Sequence, residues 1–79
     1  MKPLALSDIV RVRALSVPTR EVDGPAVEPP QPRVGDAGTV VAVLGDELYL
    51  VEHTTDDGRS VWMAEFHASE LTLEERGSD

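Results

Sequence analysis

The side chains able to do chemistry are few, and their spacing speaks against most chemistries. The only histidines are His53 and His67. With Asp56-Asp57-Gly58 as the turn between them, they fall about six positions apart along a hairpin, roughly 20 Å at about 3.3 Å per residue. Zinc ligands sit about 2 Å from the metal, so the two do not share one ion. Glu52 cannot join His53, because neighbours on a strand face opposite ways. The chain has no cysteine, which removes thiolate ligands, a thiol nucleophile and disulfides together. Neither a metal nor a cofactor is expected.

Covalent catalysis needs a nucleophile beside a base. Ser7, Ser16, Ser60, Ser69 and Ser78 all lie outside a Gly-x-Ser-x-Gly context. The carboxylate pairs Asp56-Asp57 and Glu74-Glu75 fall in a turn and in a tail expected to fray over 74–79. Gly35-x-x-Gly38 lacks the lysine and the following helix of a phosphate cradle. Pro29-Pro30-Gln31-Pro32 has a Pro-x-x-Pro spacing, which can dock in aromatic grooves. Its simpler reading is a stiff surface loop. A core this small also leaves little room for a catalytic pocket. The expectation is a protein that is not an enzyme.

The elements that position these residues are short strands. Asp8-Ile9-Val10-Arg11-Val12-Arg13-Ala14 alternates apolar residues with arginines, the period of a half-buried strand. Residues 15–34 hold five of the six prolines and form a long loop, either functional or disordered. A β-branched strand follows over Gly38–Leu44, opened by a glycine that marks a bulge or a close backbone approach. Glu47–Thr54 and Arg59–Phe66 make a hairpin about the Asp56-Asp57-Gly58 turn. Ala68–Leu71 gives one helical turn, capped by Ser69, and Leu71-Thr72-Leu73 a last strand. The sum is one all-β domain over 1–79, five strands closed into a small barrel that hides most sheet edges.

The hairpin register decides which side chains share a face. A three-residue turn with Gly58 left-handed pairs Thr55 with Arg59, His53 with Val61, Val51 with Met63 and Tyr49 with Glu65. A two-residue Asp57-Gly58 turn slips this by one residue, setting His53 against Trp62 and Tyr49 against Phe66. The first is preferred because Val51 and Met63 then meet in the core. It puts Trp62 outside, beside Leu48, Leu50 and Ala64, as an anchor for a partner. Otherwise the long loop covers Trp62, since Val17, Val22 and Val27 must pack on something.

The order of strand, long loop, glycine-rich strand, hairpin, single turn and last strand resembles SH3-like barrels. Asp8-Ile9-Val10, Gly35-Asp36-Ala37-Gly38-Thr39-Val40-Val41, Tyr49-Leu50-Val51-Glu52, Asp57-Gly58-Arg59 and Leu71 look like the pattern of a family of short, uncharacterised bacterial proteins with that barrel. The match covers residues 6 to 73. Similar strings occur in KOW-type barrels and in the barrel of the nitrile hydratase β subunit. The resemblance implies a fold, and a binding surface bordered by the long first loop. Two features depart from the pattern: the loop is longer and richer in proline, and His53 replaces an aromatic or aliphatic residue.

Composition narrows the partner. The 79 residues carry 15 acidic and 7 basic side chains, a net charge of −8. Such a chain repels phosphate backbones, so nucleic acid is not expected. No run reaches the ~20 apolar residues of a membrane span, and the missing cysteines fit a reducing cytoplasm. The expected role is protein–protein binding through Leu50, Trp62 and Ala64 on the hairpin, with Val22, Val27, Pro29 and Pro30 on the loop. The partner is another protein, a basic one fitting best, or a second copy in a homodimer. Alternatives are an acidic inhibitor or immunity-type protein that neutralises a basic toxin, and an accessory barrel of a nitrile-hydratase-like metalloenzyme.

Overall fold

A computed structural model describes residues 3–77. Five strands form where β-branched and aromatic residues concentrate: β1 (Ile9–Val12), β2 (Ala37–Gly45), β3 (Leu48–Thr54), β4 (Ser60–His67) and β5 (Leu71–Glu75). One 3-10 turn, Ala68–Glu70, joins β4 to β5. All pairings are antiparallel, in the order β4-β3-β2-β1-β5.

Strands β4 and β5 are the two edges, so the sheet is not a closed ring. The long loop does part of the work expected of closure. Asp23 pairs with Met63 on the outer edge of β4, with N–H to O distances of 2.9 and 2.8 Å. The Arg20 guanidinium donates to the Glu65 carbonyl on the same edge at 2.8 Å. Backbone groups left bare on an edge strand invite other chains, and these bonds cover those of Met63 and the Glu65 carbonyl.

The hairpin departs from the preferred register. The turn is as expected: Gly58 is left-handed at φ 88°, and the Thr55 N–H donates to the Arg59 carbonyl. Thr54 accordingly pairs with Ser60, yet His53 pairs with Trp62. Val61 is one extra residue, a bulge that shifts every later pair by one. Beyond it Val51 meets Ala64 and Tyr49 meets Phe66. The reason is burial. The unbulged ladder would have turned Glu65 inward and both Trp62 and Phe66 outward, stranding a charge in the core.

Trp62 is therefore no surface anchor. It is 1% exposed and packs in one cluster with Val10, Val12, Val40, Tyr49, Val51, Ala64, Phe66 and Leu71. Its ring stacks on His53 at 5.3 Å between centroids and tilts against Phe66 at 5.5 Å. Its indole N–H donates to Asp36 Oδ2 at 3.3 Å. His53 thus completes the end of the core, donating from Nδ1 to the Ala37 carbonyl at 2.5 Å. A carbonyl only accepts, so this bond fixes the proton on Nδ1.

Two further expectations change. Ala14 is exposed, because β1 ends at Val12. The tail is held as far as the structure describes it: β5 runs to Glu75, Arg76 bonds Asp8, and the Gly77 N–H donates to Asp8 Oδ1 at 2.8 Å. Asp8 explains this order. It is 2% exposed, and burial alone would raise its pKa; the N–H groups of Gly77 and Ala5 and the Arg76 guanidinium outweigh that and lower it. Residues 78 and 79, also expected to fray, lie outside the described residues, as does Ser78 with them.

Gly38 makes the expected close approach. A Cβ there would lie 2.5 Å from Val51 Cγ1 and 2.9 Å from the Glu52 carbonyl oxygen. Val51 is fully buried and cannot swing away. Gly38→Ala is expected to cost about 1–3 kcal/mol by overpacking. Urea denaturation checks this; an unchanged midpoint would mean that β2 and β3 separate freely.

Candidate functional site

The long loop is ordered by one buried ion pair. Glu70, in the 3-10 turn, is 2% exposed. Its carboxylate accepts from Arg20 Nη2 at 2.5 Å and Nη1 at 3.1 Å, from the Ser16 N–H at 2.8 Å, from Ser16 Oγ at 3.0 Å and from the His67 N–H at 3.0 Å. Burial alone would raise its pKa; these donors, Arg20 foremost, lower it to about 2. The Arg20 guanidinium also lies 4.3 Å from the centre of the Phe66 ring. The cation is thereby satisfied by a carboxylate, a carbonyl and an aromatic face.

The loop's own residues finish the anchoring. The Gln31 side chain accepts from the Arg20 N–H at 2.9 Å and donates to the Arg20 carbonyl at 2.8 Å, imitating a strand partner. Gly24 passes so close to β4 that a Cβ would sit 2.7 Å from the Val61 carbonyl oxygen, on the bulged residue itself. Pro32 is buried. The Pro29-x-x-Pro32 spacing is therefore not presented to a partner's groove, since its last proline is inside.

Docked in this way, the loop walls a groove of about 320 Å³ on the outer face of the hairpin. Its floor is Leu48, Leu50 and Met63, all half-buried. Ser16, Val17, Arg20, Glu21 and Asp23 bound it from the loop, and Glu65 and His67 from β4. A shallow, preformed apolar floor with polar walls is the usual form of a recognition site.

The residues expected to bind are divided by the fold. Leu50 lies on the groove floor. Ala64 borders the groove but is 2% exposed, a core residue like Trp62. Val22 is half-buried against the core. Pro29 packs by Gly24, Pro30 is exposed, and Val27 is 100% exposed at the loop tip; none of these three borders the groove. Leu48 keeps the outer face that the preferred register gave it, and Met63 is the floor residue which that register misplaced. Its signal was the alternation Trp62, Ala64, Phe66 against Val61, Met63, Glu65, in which the set without a charge is the one to bury.

A second cavity, about 350 Å³, lies between Leu4, Tyr49, Leu71, Leu73 and Arg76. Arg76 is already used there, donating to the Pro3 carbonyl at 3.0 Å and to Asp8 at 2.9 Å. Among the described residues no group of three or more His, Cys, Asp or Glu could hold a metal ion, and no helix is long and apolar enough to cross a membrane. No protein-family model, curated protein or solved structure matches the chain.

Proposed function

We propose that the chain is a non-catalytic protein-binding module with an SH3-like architecture, whose contact surface is the groove between the long loop and the outer face of β3 and β4. The strand order β4-β3-β2-β1-β5, the long loop between β1 and β2 and the single 3-10 turn before β5 support the architecture. They also agree with the resemblance to short bacterial SH3-like proteins, and the missing cysteines fit a role in the cytoplasm. The observation that carries the binding reading is the groove itself. Its floor of Leu48, Leu50 and Met63 is kept open by a loop that Glu70, Gln31 and Asp23 hold in place. A wall ordered beforehand costs little further entropy when a partner arrives.

The test is selection of binders from a random-peptide display library against the intact chain, followed by the double variant Leu50→Gln, Met63→Gln. Both residues lie on the outer face, so the variant is expected to fold. Each neutral polar side chain removes apolar contact area without changing charge. Selected peptides are expected to bind the variant about tenfold or more weakly. Peptides that bind both proteins alike would move the contact elsewhere on the surface.

An acidic inhibitor of a basic protein is the second reading, favoured by the net charge of −8. Charge spread over a whole surface acts through steering. Its partner would dissociate steeply as salt rises and would be insensitive to Leu50 and Met63.

A further inference from the structure

We propose that the segment held in this groove is cationic, an extended stretch of a protein partner in which Lys or Arg alternates with aliphatic residues. The inference rests on the groove being the contact surface and adds the chemistry of its occupant.

Glu21, Asp23 and Glu65 are exposed around the floor of Leu48, Leu50 and Met63. None of the three forms an ion pair among the described residues, whose salt bridges are Arg11–Glu74, Arg20–Glu70, Arg59–Asp57 and Arg76–Asp8. The one arginine bordering the groove is Arg20. Its side chain is only 10% exposed, and both terminal nitrogens are committed to Glu70 and to the Glu65 carbonyl. The pair Arg20–Glu70 is neutral as a unit, so it cancels none of the charge on the rim. Asp23 is fixed beside Met63 by its two backbone bonds, which holds a negative group next to apolar floor.

Apolar floor and uncompensated carboxylates together select the occupant. A purely apolar segment would lower the dielectric around three carboxylates and give them no partner. A second copy of this chain brings the same sign, −8 against −8, and nucleic acid brings phosphate. A stretch with alternating cationic and aliphatic side chains meets both demands, because its two sets of side chains point opposite ways when extended.

The probes are three short synthetic peptides of one length, alternating leucine with arginine, with citrulline or with glutamate. Each is titrated into the intact chain while the amide signals of Leu48, Leu50 and Met63 are followed by NMR. The arginine peptide is expected to shift those signals and to bind about tenfold tighter than the citrulline peptide, a size set by a few rim charge pairs. The advantage should vanish in about 0.5 M salt, where the screening length falls to a few ångströms. It should also vanish in the triple variant Glu21→Gln, Asp23→Asn, Glu65→Gln, which keeps the backbone bonds of Asp23. Equal binding of arginine and citrulline peptides at the groove, or tighter binding of the glutamate peptide, would overturn the cationic preference and leave the groove reading standing. Shifts from none of the three at Leu48, Leu50 and Met63 would overturn both.

Discussion

The Trp62→Ala variant is expected to lose about 3–5 kcal/mol and with it most of the cooperative unfolding transition. A chain of 79 residues has a total stability of about 4–12 kcal/mol, so one such loss takes most of it. The size follows from position. Trp62 is among the largest buried side chains, meets His53 and Phe66 ring to ring, and donates to Asp36. Truncation opens a cavity at the centre of the cluster and leaves His53 facing it. Far-UV circular dichroism during urea titration measures the effect, since the variant lacks the only tryptophan. A midpoint equal to that of the unaltered chain would show that Trp62 lies on the surface, the arrangement of the unbulged register. Trp62→Phe should recover roughly half of the loss, because an aromatic ring remains against His53 while the bond to Asp36 does not.

The second large effect is expected at Glu70. Replacing it with alanine leaves the Arg20 guanidinium buried without its carboxylate and orphans the Ser16 and His67 N–H groups. Removing one partner of a buried pair costs about 3–5 kcal/mol. Local consequences should exceed the global one. With Glu70 gone, the loop is left with the Arg20 bond to the Glu65 carbonyl and the Asp23–Met63 bridge as its hydrogen bonds to β4, so hydrogen exchange at the Asp23 and Met63 amides should quicken more than at Val51 in the core. Equal changes at all three sites would mean that the loop unfolds only with the whole domain.

Acid should act through the same group. The folded pKa of Glu70 is about 2, below its ordinary 4.5, so the fold favours the ionised form. Its contribution is complete above about pH 4.5 and is lost as pH falls toward 2. The integrated effect is on the order of 3 kcal/mol. Asp8 works in the same direction, its pKa also being lowered. Stability measured in urea from pH 6 to pH 2 should therefore fall steeply, and much less in Glu70→Ala. A slope unchanged by that substitution would sink the assignment.

Much of the fold could be read along the chain because it follows from local rules. Alternation in Val10-Arg11-Val12 and the β-branched run from Thr39 to Val43 specify strands wherever they fold. Gly58 at φ 88° occupies the left-handed region that favours glycine, and it marked its turn in advance. Proline density announced the loop but not its fate. Nothing between residues 15 and 34 reveals that Arg20 will reach Glu70, fifty positions along the chain.

The groove was half legible for the same reason. Leu50 stood on the outer face of β3 in either register of the turn, because faces along one strand are set by its own alternation. Met63 and Trp62 exchanged places, because faces between strands depend on counting rungs across the ladder, and one bulged residue at Val61 changes the count. What the amino-acid order determined unaided was the set of short strands, their turns, the acidic surface and the absence of thiol chemistry, all properties of single residues and near neighbours. What tertiary structure alone decided was the bulge at Val61 that brings the uncharged side of β4 into the core, and where the loop lies. Both turn on charges: Glu65 had to stay in water, and Glu70 could be buried only by bringing Arg20 to it.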